Sequence, residues 1–141
     1  MNNTFFLIFI LVAGAFISPV SHSKNEERKV NIVFKGTAVF FVKPEKVDDF
    51  KREVLKIIGP TLKEAGNISY EAFQVVNDKG QLTPRFEFHE LWKSRDAMMI
   101  DHKDNTAHMN NFFAAIRINE EDSWIEKVEI SGNDVEVLKE R

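Results

Sequence analysis

Val30-Asn31-Ile32-Val33-Phe34-Lys35-Gly36-Thr37-Ala38-Val39-Phe40-Phe41-Val42, closed by Lys43-Pro44, is the stretch from which the fold follows. It is rich in Val, Ile and Phe and reads as one long strand, ended by a proline that cannot donate to a ladder. Phe34, Ala38, Phe40 and Val42 share one face by the period of two, and Val33, Val39 and Phe41 share the other. A strand solvated on one side alternates more cleanly, so this pattern predicts cover on both faces.

Downstream of Pro44, a residue suited to a first helical turn, Val47, Phe50, Val54, Ile57, Ile58 and Leu62 recur at helical spacing. Gly59-Pro60 is expected to kink that helix and Ala65-Gly66-Asn67 to end it. Ile68 to Val76 and Arg85 to Trp92 alternate as two strands, joined through Asn77-Asp78-Lys79-Gly80 as a hairpin. Ser94 is a suitable N-cap for a short helix reaching about His102, and a second helical stretch runs from about Thr106 to Ile118, with Met109, Phe112, Phe113 and Ile116 inward. Trp124 to Ile130 and Val135 to Leu138 read as a last strand interrupted at Gly132-Asn133-Asp134 by a bulge or turn. The order is β-α-β-β-α-β, an α+β ferredoxin-like arrangement with an antiparallel sheet. Helices cover one sheet face, and a second copy of the chain is the simplest cover for the other.

Upstream, Phe5 to Ile17 is an uncharged run of thirteen apolar or small residues, short of the ~20 that a spanning helix needs. Pro19 ends it, and Ser21 and Ser23 supply the small residues that a signal peptidase reads. Residues 1–23 are thus expected to be a cleaved signal peptide, with an uncleaved anchor as the alternative, because the opening Met1-Asn2-Asn3-Thr4 lacks Lys and Arg. Removal of 23 of the 141 residues leaves 118: a charged lead-in over 24–29 and one domain over 30–141. A periplasmic or secreted location and no stable membrane insertion after cleavage follow from that reading. The net charge of −3, with both signs mixed along the chain, predicts no nucleic-acid surface. With no cysteine there is neither a disulfide nor a thiol nucleophile, so packing holds the domain together.

Phe86, Phe88, Glu90 and Trp92 share one face of the third strand. If that face looks toward the helices, Tyr70, Asn67 and His102 are placed to reach the same cavity. The set offers a carboxylate or imidazole to take a proton, a hydroxyl or amide to hold an oxyanion, and aromatic walls for a planar ring. Plainer readings compete: Trp92 as core, and His102 and His108 as helix-end side chains. His89 points to the opposite face. No metal site is expected, because His89-Glu90 lacks the second histidine of a zinc helix.

Phe41-Val42-Lys43-Pro44-Glu45-Lys46-Val47-Asp48-Asp49-Phe50-Lys51, Gly66-Asn67-Ile68-Ser69-Tyr70-Glu71, Phe86-Glu87-Phe88-His89-Glu90-Leu91-Trp92-Lys93-Ser94, then Ala97, His102, His108 and Phe112, resemble the antibiotic biosynthesis monooxygenase family. The resemblance spans about residues 30 to 118. It implies a dimeric α/β barrel whose subunits pack through their sheet faces, and a cofactor-independent oxygenation of a quinol-like aromatic. In it Glu90, His102 and Tyr70 are the catalytic candidates, and Trp92, Asn67, Phe86, Phe88 and His108 bind substrate. Phe88 stands where aromatic-polyketide members carry an asparagine. The two histidines lie slightly farther from Trp92 than in quinol-type members, which leaves open whether Asp101 or His102 faces the pocket. A non-catalytic protein that binds a small ligand is the competing class. Haem degradation, which the resemblance also implies, is a lesser one: its histidine ligand falls near Asn111, where this chain has none, and His108 lies within a helical turn of it. Intact-mass measurement of the exported protein is expected to give an N-terminus at Lys24; a membrane-bound species retaining residues 1–23 is the contrary result.

Overall fold

The computed structural model describes residues 30–138; the proposed signal peptide and the charged lead-in lie outside the described residues. Strand β1 spans Ile32–Val42 and passes through a 3-10 turn, Pro44–Lys46, into helix α1, Val47–Thr61. Strands β2, Asn67–Val76, and β3, Leu82–Trp92, form the hairpin. A short π-helical segment, Ala97–His102, precedes helix α2, Ala107–Ala115, and strand β4, Ile125–Glu136, closes the order. The strands lie β2-β3-β1-β4 with antiparallel neighbours, the ferredoxin-like α+β fold.

α1 buries Phe50, Val54, Ile57 and Thr61, one stripe at helical spacing against the sheet. Leu62, expected inward, is exposed, because the stripe continues from Ile57 to Thr61 and the helix ends there. Pro60 sits in the last turn without breaking it, and Gly59 before it has no Cβ to meet the proline ring. Inside, the rings of Phe50 and Phe86 stand 4.8 Å apart and Phe40 meets Phe88 at 5.4 Å. Aromatic pairs at such separations add to their area burial.

Asn77 builds the hairpin turn by accepting at Oδ1 from the Lys79 and Gln81 amides, both at 3.0 Å, while Gly80 takes a φ of 74°. β3 starts three residues earlier than Arg85, with Pro84 inside it. Arg85 is the last partner of β1, so Pro84 lies beyond that ladder and costs it no bond.

Two expectations are corrected. β4 is continuous through Gly132-Asn133-Asp134, which pair in register with Gly36, Lys35 and Phe34. Gly132 is there to admit the Phe34 ring: a Cβ at that position would lie 2.3 Å from Phe34 Cζ. The outer sheet face is also more polar than β1 alone suggests. Val33 and Val39 are buried on it, but Arg85 and Lys127 stand over the Phe41 ring, and ion pairs Arg85–Glu87 and Lys127–Glu129 flank the strip. The apolar side chains left exposed cluster mainly on the outer strands, among them Ile68, Phe73 and Val76 of β2 and Val128 and Ile130 of β4.

Gly132→Ala is expected to cost about 1–3 kcal/mol by overpacking. Gly36→Ala should cost less, since the atoms it would meet are the far end of the flexible Met98 side chain. Urea unfolding of the two variants checks the order.

Candidate active site

The inner sheet face, the π-helical segment and α2 enclose a cavity of about 340 Å³. Phe40 and Phe88 floor it; Tyr70, Glu90 and His102 supply polar atoms; Met98 and Met109 line its helical side. Lys103, Asp104, Asn110 and Asn119 form a polar rim. Alternation on β3 aims Phe86, Phe88, Glu90 and Trp92 inward together, as their burial shows.

Glu90 is only 5% exposed, and its Oε2 accepts the Trp92 indole N–H at 2.8 Å. Burial raises its carboxyl to about 7, against the lowering effect of that hydrogen bond and with a further push from the Glu64 charge. Tyr70, the cross-strand partner of Glu90, is buried, and its phenol is held well above the usual value by burial and then by Glu90 and Glu64. His102 is pushed down, chiefly by burial, with the Glu64 hydrogen bond and charge opposing and His108 adding to the fall. Its ring lies 4.6 Å from that of Trp92 and 5.9 Å from that of Tyr70.

The protons of the imidazole follow from its partner. His102 Nδ1 is 2.7 Å from Glu64 Oε1, so Nδ1–H donates to the carboxylate and Nε2 keeps the lone pair. The same oxygen takes a second contact from His108 Nε2 at 2.9 Å, and Thr61 Oγ1 lies 3.2 Å from that nitrogen. One carboxylate thus ties the end of α1 to the π-helical segment and to α2.

Among the expected residues, Tyr70, Glu90, His102 and Phe88 come together at the cavity. Asp101 is exposed, so His102 is the one that reaches it. Trp92 is fully buried behind the wall, where its indole positions Glu90 instead of facing the cavity. Phe86 packs on Phe50 in the core, and Asn67 gives its amide to the Ser69 carbonyl at 3.2 Å; neither lines the cavity. His108 also stands outside it, bound to Glu64 and Thr61. His89 faces the outer side, stacked on Phe73 and paired with Glu87.

Glu64 was not singled out by the sequence. It follows the apolar stripe of α1 by a turn, where a charged residue reads as solvated, and nothing along the chain pairs it with histidines 38 and 44 residues away. Met98 and Met109 read only as helix interior.

A buried carboxyl poised near neutrality, a neutral imidazole and an aromatic floor define a small acid–base pocket in a ferredoxin-like fold. The family model for antibiotic biosynthesis monooxygenase matches residues 35–115, more than half of the chain, and the protein belongs to that family. Solved structures share the fold. One from Pseudomonas aeruginosa is 22% identical over 78% of this chain and 98% of its own, with a TM-score of 0.58. Another from Nitrosomonas europaea, provisionally described as an antibiotic biosynthesis monooxygenase, is 21% identical over 78% and 93%, at 0.59. A third of the same description, from Deinococcus radiodurans, is 13% identical over 77% and 97%, at 0.62. No curated protein matches the chain.

The folded Glu90 lies above the unfolded value of 4.5, so its neutral form favours the fold below about pH 4.5, and that contribution is lost as pH rises to about 7. A rise of this size is worth about 3 kcal/mol. Glu90→Gln is neutral throughout and should gain on wild type by up to that amount between these pH values. Urea unfolding at a series of pH values reads the difference; a gap that does not change with pH is the contrary result.

Proposed function

We propose that this protein is an exported, cofactor-independent monooxygenase acting on a quinol-like or other electron-rich aromatic. The observation that carries the reading is the Glu90 carboxyl, raised to about 7 by burial, at the wall of a cavity floored by Phe40 and Phe88. A group with that value exchanges protons readily near neutral pH.

A planar ring stacks on the aromatic floor with a hydroxyl toward Glu90, and the ionised carboxylate takes its proton. The electron-rich anion passes an electron to dioxygen, and the two radicals combine. One oxygen atom is retained by the ring and the other leaves as water, so hydroquinone and dioxygen give a hydroxyquinone and water. Tyr70, whose phenol stays protonated, donates a hydrogen bond to the developing oxyanion. His102, neutral and held by Glu64, serves as a second proton acceptor through Nε2. Trp92 acts through Glu90, and its loss should alter the pH profile more than substrate affinity.

Two subunits packed through their sheet faces form the working unit in this reading. The apolar strip of Val33, Val39 and Phe41, with Phe73 on the same face, supports it. Export by the leader over 1–23 places the enzyme in the periplasm or outside the cell, and favours an environmental or membrane-derived substrate. Among the described residues no helix is long and apolar enough to cross a membrane.

Oxygen uptake by chelator-treated protein, with a panel of hydroquinones and anthrones, tests the proposal. Uptake should exceed buffer, rise with pH through about 7 as Glu90 ionises, and fall by ~10² to 10⁴ in Glu90→Gln. Saturable ligand binding that raises the melting temperature, with uptake no faster than buffer across the panel, makes the protein a binding module instead.

A further inference from the structure

Glu64 just beyond the end of α1, His102 at the last position of the π-helical segment and His108 in the first turn of α2 bring one oxygen and two nitrogens together. Their ligand atoms all lie within 4.8 Å of one another. Glu64 Oε1 is 2.7 Å from His102 Nδ1 and 2.9 Å from His108 Nε2. Around a tetrahedral ion with bonds of about 2.1 Å, neighbouring ligand atoms stand roughly 3.4 Å apart. To reach that arrangement the two short contacts open outward, and the two imidazole nitrogens, within 4.8 Å of each other, take up the same spacing.

We propose that Glu64 Oε1, His102 Nδ1 and His108 Nε2 form a binding site for a divalent transition-metal ion of the zinc class. Two imidazoles and one carboxylate make a borderline donor set, suited to zinc and its first-row neighbours and poorly suited to calcium or magnesium. Burial is graded to match: His102 is 3% exposed, while the Glu64 and His108 side chains are 16% and 19% exposed, which leaves an entry path. Three elements distant in sequence hold the ligands before any ion arrives, so little ordering entropy remains to be lost on binding. The π-helical turn that carries His102 is a conformation frequent at functional sites.

On binding, the His102 proton moves to Nε2 and the His108 proton to Nδ1 as Nδ1 and Nε2 take the ion, and the Glu90 carboxyl on the cavity side of His102 stays free. The site shares only His102 with the oxygenase reading, where metal binding at Nδ1 would take Nε2 out of its role as an acceptor, and its test does not use activity. Chelator-treated full-length protein is titrated with zinc chloride in a calorimeter, and with cobalt chloride in a spectrophotometer. One ion per chain, with intense visible cobalt absorption, is expected. Glu64→Gln and His108→Ala should each weaken zinc by more than the ~10–100-fold typical of an outer contact, while His89→Ala on the outer face leaves it unchanged. Should either variant unfold, ¹⁵N shifts of the wild-type histidines decide: His102 Nδ1 and His108 Nε2 move on saturation with zinc, and His89 does not. Absence of saturable binding, wild-type affinity in both variants, or a shift confined to His89 overturns the proposal.

Discussion

The hydrogen bond from the Trp92 indole to Glu90 Oε2, made inside the protein at 2.8 Å, is the constraint around which the site is arranged. A carboxylate with so little solvent loses most of its hydration, and a single N–H cannot restore it. The group therefore stays near the midpoint of its titration at neutral pH, raised by burial and held back by the indole. Both residues belong to one face of β3, so the strand's alternation alone brings donor and acceptor together. Trp92 is also the surface on which the His102 ring rests, which links the carboxyl to the imidazole through one fully buried side chain.

Glu64 is the second node. It joins three helical pieces at one oxygen, and its charge raises Glu90 and Tyr70 while holding His102 oriented. Neutralising that charge reaches Glu90, Tyr70 and His102 together. A metal ion at Glu64 does so without touching the aromatic floor, whereas a substrate engages the floor and Glu90 and leaves Glu64 alone. The two halves of the site thus share His102 and are otherwise separate.

Much of this was legible in the sequence because it depends on periodicity. The alternation of Phe86, Phe88, Glu90 and Trp92, and the stripe of Phe50, Val54 and Ile57, are local patterns that survive folding unchanged. What stayed hidden depends on contacts distant along the chain. Gly132 reads as a turn residue until the Phe34 ring is seen above it. The outer face reads as apolar from β1 alone, and only its register with β3 and β4 brings Arg85 and Lys127 over Phe41. The Asp101-or-His102 question turned on helix geometry: the π-helical turns carry His102 inward and leave Asp101 in solvent. Glu64 was invisible for the same reason, since its partners lie on elements that meet it only in the folded chain.

The site depends on a carboxyl at Glu90 that titrates near neutrality because it is buried. The direct measurement is a ¹³C-detected titration of the Glu90 side chain in the folded protein, assigned by comparison with Glu90→Gln. A midpoint at about 7, moving upward in Trp92→Phe as the indole hydrogen bond is lost, is the predicted result. A midpoint at the ordinary 4.5, unaffected by that substitution, would contradict it.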